Sequence, residues 1–232
     1  MRQSTSTERE SPAPRSASRS APDTAPPPSG PLAQGREFVW TNADFSRVQG
    51  LIYQRAGISL HDGKHAMVYS RLSRRLRETG HSSFHDYLSW LEKHDGPEWQ
   101  EFVNALTTNL TAFFREQNHF EIFATHLRTR PSGPWHVWCN AASTGEEPYS
   151  IVMTAMEALG SHGSFKLTAS DIDSRVLATA ADGIYRLDSL KGLSPERLQR
   201  FFLRGKASNA GLVRAKPELR KMIDFMSVNL IR

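Results

Sequence analysis

The sequence predicts an α/β protein: a small all-α N-terminal domain followed by a Rossmann-like, doubly wound unit with a parallel sheet. Three observations carry this reading. Between residues 38 and 106 the apolar residues recur at helical spacing. From Trp135 an apolar strand runs into a small-residue turn, a helix, and a second strand that ends in Ser170-Asp171-Ile172-Asp173. A further helix pattern follows at once, and such βαβα alternation places the strands parallel, with right-handed crossovers.

Composition sets the outer bounds. A chain of 232 residues has room for one large domain or two smaller ones. Its hydrophobic share is 38%, low for a single compact globule, so a polar segment is expected to dilute a normal core. The single cysteine, Cys139, excludes an internal disulfide and a cysteine-based zinc site, and it lies in an apolar strand where a buried, inert thiol is expected. No window approaches the ~18 apolar residues of a membrane helix, and the polar N-terminus has no secretory apolar region. The expectation is a cytoplasmic protein with no direct membrane insertion. The net charge of +5 favours acidic partners.

Residues 1–35 are rich in Ser, Pro, Ala and Arg, with almost no large apolar side chain before Leu32. Such a segment cannot offset its ordering entropy by burial and is predicted to be a disordered tail. Phe45, Val48, Leu51 and Ile52 then mark a first helix closed by Gly57. A second runs from about Asp62 to Thr79, with Val68, Leu72 and Leu76 as its apolar line. Arg71, Arg74 and Arg75 are expected on an adjacent face. Lys64 and four arginines against Asp62 and Glu78 make this helix net positive, a solvated face or a docking face for carboxylates. A third helix, capped by Ser82 or Ser83, carries Phe84, Tyr87, Leu88, Trp90 and Leu91; a fourth follows Pro97. Together these form a helical domain over 36–106.

A helix is predicted over 116–130. It is followed by a strand over 135–139 that reads as buried on both faces, a helix over 146–159, a strand over 165–169 and a helix from Ser174 to about Ala181. Gly160 and Gly163 flank the exit of the 146–159 helix. Beyond lie a Ser194-capped helix reaching Phe202, a strand over 211–215 and an apolar run, Met222–Val228. His61/His65 and His81/His85 have helical i, i+4 spacing but no third ligand beside them, so no metal is expected.

In a doubly wound sheet the ligand sits beyond the carboxyl ends of the strands. Ala141–Gly145 falls there, and its small side chains admit close approach of a ligand to the backbone. It has neither a GxGxxG pattern nor a Walker lysine, so a phosphate cradle is not indicated. Glu146 opens the next helix and would repel a pyrophosphate but attract an amino group. Asp171, directly after the second strand, can accept from both ribose hydroxyls. A nucleoside with a cationic arm and no phosphate suits these groups, and S-adenosylmethionine has that shape; Arg115 is a candidate partner for its carboxylate.

The residues also carry a resemblance. Asn109-Leu110-Thr111-Ala112-Phe113-Phe114-Arg115-Glu116, Thr144-Gly145-Glu146-Glu147-Pro148-Tyr149-Ser150 and Ala169-Ser170-Asp171-Ile172-Asp173 resemble the CheR family of chemoreceptor glutamate methyltransferases. Gly183-Ile184-Tyr185, Leu193-Ser194-Pro195 and Val228-Asn229-Leu230 follow in the same order. The resemblance implies a helical receptor-docking domain over 36–106 and an S-adenosylmethionine-dependent methyltransferase domain over 107–232. It implies methyl transfer to glutamates on the cytoplasmic helical bundle of chemoreceptors. A monomer that takes no nucleic acid as partner is expected. Cofactor contacts carried over by position are Asn109, Thr111, Arg115, Glu146, Asp171, Asn229 and Leu230. Arg115 would also lie by the transferring methyl, and Arg71, Arg74 and Arg75 would dock the receptor. The family's sheet continues after the Asn-Leu pair, so the chain is expected to be C-terminally truncated, its sheet incomplete and its turnover low. The small β insertion of some members is expected to be absent. Two rival readings are a nucleic-acid methyltransferase using the basic residues, and a receptor-binding module using only residues 38–106.

Overall fold

The computed structural model describes residues 36–132, 134–160 and 164–231. The predicted tail over 1–35 and Gly163 lie outside these residues. In chain order the elements are α1 (Asn42–Ala56), α2 (His65–Thr79), α3 (Phe84–Lys93), α4 (Glu98–Leu106), α5 (Asn118–Arg128), β1 (Pro134–Cys139), α6 (Glu146–Leu159), β2 (Ser164–Asp171), α7 (Ser174–Asp182), β3 (Ile184–Arg186), α8 (Pro195–Phe201), β4 (Phe202–Arg204), β5 (Leu212–Ala215), α9 (Pro217–Arg220) and β6 (Ile223–Ser227).

Two of the first four helices start where a side chain takes up their free amides. The Thr41 hydroxyl accepts from the Asp44 amide at 3.1 Å, and the Asp44 carboxylate accepts the Thr41 amide in return at 2.9 Å, which opens α1. The Ser83 hydroxyl accepts from the Asp86 amide at 3.1 Å to open α3. The apolar stripes of all four helices meet in one core built on Phe45, Val48, Ile52, Val68, Leu72, Leu76, Leu88 and Phe102. Trp40 closes that core from outside the helices, tilted against Phe84 with ring centroids 4.5 Å apart. Arg75 is also drawn in. It is only 8% exposed, so it does not share the open face of Arg74 that the spacing suggested. The reason is its position seven residues after Val68, which puts it back over the apolar stripe.

The second core lies against a three-stranded parallel sheet in the order β1-β2-β6. Cys139 pairs with Ala169 and Ala169 with Phe225, so the three strands end nearly level. That brings the turns after β1 and β2 to one edge of the sheet, as the alternation of strand and helix requires. One face packs Leu167, Ala169 and Ile223 under Tyr149, Val152 and Met153 of α6. The expectation that the first strand is buried on both faces is corrected: its residues alternate, and Trp138 is 56% exposed. Among the described residues β1 pairs only with β2, so its outer edge and one face stay open.

Residues 184–215 depart furthest from expectation. The strand expected over 211–215 is present as β5, but it pairs with the unexpected β3 and β4 in a second, antiparallel sheet in the order β3-β5-β4, where no small β unit was expected. Its strands are three to four residues long, too short for a period-2 pattern to stand out. Their inward residues Tyr185, Phe202 and Val213 join the α/β core. The helix expected to reach Phe202 ends at Phe201, because Phe202 turns extended at φ −125° and begins β4.

Candidate active site

Three loops converge at the carboxyl edge of the parallel sheet. The first is the connector from α4 to α5, which carries Asn109, Thr111 and Arg115. Phe113 anchors it, buried edge-on to Tyr185 and Phe202 with centroids 5.0 and 5.7 Å away. The Phe114 amide donates to Ser150 Oγ at 3.0 Å. Phe114 and Glu116 both adopt positive φ, 52° and 59°, so Arg115 sits between two left-handed residues. Such conformations are costly for bulky side chains and persist only where the surroundings impose them. They also explain why α5 starts at Asn118 rather than 116.

The second loop, 141–145, leaves β1 and enters α6. Its Ala142 amide donates to Ser170 O at 2.9 Å, and Gly145 takes φ 99° to start the helix. The third is the turn 171–173. The Asp171 carboxylate ties the last two together: Oδ2 accepts the Ser143 amide at 2.8 Å and Oδ1 accepts the Asp173 amide at 2.9 Å. Each oxygen keeps one lone pair, enough to accept the two hydroxyls of a ribose. Ser143 Oγ is buried and has no hydrogen-bond partner among the described residues. A buried hydroxyl without a partner is costly, and a ligand group in this loop would satisfy it. The donors and acceptors present therefore suit a nucleoside cofactor.

The other sequence-derived candidates are placed unevenly. Asn109 Nδ2 donates to Asp173 Oδ2 at 2.8 Å, which joins the first loop to the third. Glu146 accepts from Thr144 Oγ1 at 2.6 Å and sits in the first turn of α6. Arg115 Nη1 donates to Leu110 O at 3.0 Å, so its side chain curls back over its own loop. Asn229 follows directly on Val228, whose amide donates to Asp171 O. Its side chain is spent elsewhere, with Nδ2 donating to Arg55 O of α1 at 2.9 Å and Oδ1 accepting the Ile231 amide at 3.2 Å. Leu230 beside it is exposed.

A cavity of about 310 Å³ lies between α2, the end of α4 and the first loop. Arg71, Arg74, Arg75 and Arg175 line it, together with Asn109. Arg71 Nη1 donates to Ala105 O and Thr107 O and so braces the connector. Arg175 was not singled out from the sequence; its place two residues after Asp173, at the start of α7, was the available signal. Among the described residues no group of three or more His, Cys, Asp or Glu could hold a metal ion.

Cys139, at the end of β1, is buried, and burial together with the Glu147 carboxylate 3.7 Å away pushes its thiol up to about 12. A raised pKa means less thiolate at working pH, and the thiolate is the reactive form. Iodoacetamide at pH 8 is expected to label the folded chain at least ~100-fold more slowly than the urea-unfolded chain, whose thiol titrates near ~8.5. Equal rates in a mass-spectrometric time course would show that the end of β1 is open to solvent.

Two family models match the chain in succession. CheR methyltransferase, all-alpha domain, matches residues 43–107, and CheR methyltransferase, SAM binding domain, matches residues 109–232. Among curated proteins, the chain is 54% identical over 202 residues to the chemotaxis protein methyltransferase of Salmonella typhimurium, covering 86% of this chain and 70% of that protein. It is 55% identical over 203 residues to the chemotaxis protein methyltransferase of Escherichia coli, with 86% and 70% covered. It is 48% identical over 204 residues to chemotaxis protein methyltransferase 2 of Pseudomonas aeruginosa, with 87% and 72% covered. With an all-α domain leading into an S-adenosylmethionine-binding α/β domain, the chain belongs to the CheR methyltransferase family.

Proposed function

We propose that this chain transfers the methyl group of S-adenosylmethionine to glutamate side chains on the cytoplasmic helical bundle of chemoreceptors, acting as a cytoplasmic monomer. Residues 36–106 would dock the receptor and residues 107–232 would carry the transfer. The observation that carries this reading is one cavity lined by Arg71, Arg74 and Arg75 of α2, by Arg175 of α7, and by Asn109 of the loop that also bears Arg115. An acidic helix laid in it would bring a carboxylate toward the cofactor loops. The names of the curated relatives support the same reading.

The chemistry asks little of the protein. Bound S-adenosylmethionine supplies an activated methyl on a sulfonium. A glutamate carboxylate is already ionised at neutral pH, so no general base is needed. What this chain's residues must do is align the acceptor and exclude water. Asp171 would hold the ribose, Asn109, Thr111 and Glu146 would line the rest of the cofactor, and Arg115 would orient the incoming carboxylate. Arg71 and Arg74 would grip the receptor's acidic face, while Arg75, being buried, would brace them from inside the domain.

Methyl esters of carboxylates release methanol in mild base, whereas methylated nitrogen and nucleobase carbon do not. Incubating the chain with methyl-labelled S-adenosylmethionine and a purified receptor cytoplasmic fragment is expected to give base-labile, volatile label, lost in Arg115→Ala. Base-stable label, or label in added RNA or DNA, would overturn the glutamate reading. Binding to the receptor fragment without any label would leave a docking module instead.

A further inference from the structure

Asp173 is 2% exposed, carries a carboxylate, and lies in the third loop without facing the ribose position. Its two oxygens are used differently. Oδ1 caps α7, accepting the Arg175 amide at 3.0 Å and the Val176 amide at 3.3 Å. That alone is an ordinary helix start. Oδ2 is turned away from the helix and takes two side chains from the distant first loop: the Thr107 hydroxyl at 2.6 Å and Asn109 Nδ2 at 2.8 Å. All four lone-pair positions are thereby occupied. Nothing is left with which Asp173 could touch a ligand, so any effect on the site must pass through Asn109.

The turn that carries Asp173 is held from the other side by α4. Gln100 Nε2 donates to Ile172 O at 2.8 Å, and Asn104 Nδ2 donates to Ser174 Oγ at 3.1 Å. Asp173 therefore cannot drift to suit Asn109, and Asn109 must conform to it. An ionised carboxylate only accepts. It fixes the Asn109 amide with its nitrogen toward Asp173 and leaves Oδ1, on the other arm of the amide, as an acceptor without a protein partner among the described residues.

We propose that Asp173 is a positioning residue that sets the polarity of Asn109, so that the cofactor site presents a hydrogen-bond acceptor there. The inference rests on the assignment of the three loops as the cofactor site. In Asp173→Asn, the new side chain can still cap α7 through its oxygen, since Asn and Asp are comparable caps. Its amide nitrogen then faces Asn109, whose side chain must flip and turn its own nitrogen outward. Adding Asn109→Asp to the same chain restores an acceptor on both sides, because the amide introduced on the α7 cap can donate to the new carboxylate.

The test is calorimetric titration of the full 232-residue chain with S-adenosylhomocysteine, with thermal melting alongside. Asp173→Asn is expected to bind at least ~10-fold more weakly while melting within a few degrees of the parent. The double variant Asp173→Asn/Asn109→Asp is expected to bind at least ~3-fold more tightly than Asp173→Asn alone. Unchanged affinity in Asp173→Asn overturns the inference. So does a double variant as weak as the single one, which would make Asp173 a structural residue only. Failure of the parent chain to bind S-adenosylhomocysteine would instead overturn the site assignment itself, and the inference with it.

Discussion

Glu98→Ala is expected to lower the unfolding free energy by about 3–4 kcal/mol, whereas Glu78→Ala, on α2 itself, is expected to move the unfolding midpoint far less. Both glutamates pair with Arg75, but Glu78 shares its carboxylate with Arg74 on the open face and Glu98 shares its own with the Tyr87 hydroxyl inside. The Arg75 and Glu98 side chains are 10% and 11% exposed, against 40% for Glu78. Arg75 Nε and the Tyr87 hydroxyl both donate to Glu98 Oε1, at 2.9 and 2.8 Å, and Arg75 Nη2 reaches Oε2. Hydrogen bonding to Glu98 raises the Arg75 pKa further above its ordinary value, with burial working against it. Burial drives the Tyr87 phenol far above its usual value, so it remains a donor. Removing Glu98 leaves the buried side of the guanidinium and a buried hydroxyl without their acceptor, with only the more exposed Glu78 and Glu101 still beside Arg75, and the cost of leaving such groups unpaired exceeds the worth of the pair itself. Urea denaturation would show a lower midpoint with an unchanged slope. Equal losses in the two variants would mean that the cluster is a solvated surface, and Arg75 would then be available to a receptor after all.

That buried arginine also shows where reading the sequence succeeds and where it stops. Val68, Leu72 and Leu76 were legible because an apolar stripe has a period. Arg75 has the same period relative to Val68, but its charge argued for the surface, and the carboxylate that makes its burial tolerable comes from another helix, 23 residues on. The strand–turn–helix–strand order was legible for the same reason, and with it the convergence of residues 141–146 and 171 at one edge. Of the small antiparallel sheet only β5 was legible; β3 and β4 were not, since strands of three residues carry no alternation and are stabilised by Tyr185 and Phe202 packing on a core assembled from elsewhere. Asp173 was half legible. An Asp before a helix is a cap signal, but the use of its second oxygen depends on Thr107 and Asn109, more than sixty residues earlier. Side-chain direction in the loops was the least accessible. Nothing in the Asn229-Leu230 pair announces that the Asn229 amide is engaged by the end of α1.

Gly145→Ala is expected to abolish cofactor binding and to destabilise the α/β domain by about 3 kcal/mol. Two separate costs add. Gly145 has φ 99°, a conformation that a β-carbon disfavours by roughly 1–2 kcal/mol. The added methyl would also sit 2.7 Å from the Tyr185 hydroxyl and 2.9 and 3.0 Å from Cβ and Cα of Ala180. Neither neighbour can yield cheaply. The Tyr185 hydroxyl donates to Thr144 O at 2.8 Å within the same loop, and Ala180 Cα is the backbone of α7. Relief must come from the loop itself, which would draw the Ser143 amide off Asp171 and open the turn where the ribose is proposed to lie. Gly80→Ala supplies the control, since Gly80 also has positive φ, 74°, but an added Cβ there meets nothing within 4 Å. It should lose only about 1 kcal/mol, with affinity for S-adenosylhomocysteine unchanged. Calorimetry and thermal melting on the two variants would separate backbone strain from collision. If Gly145→Ala behaved like Gly80→Ala in both, the close packing of α6 on α7 would not be what shapes the site.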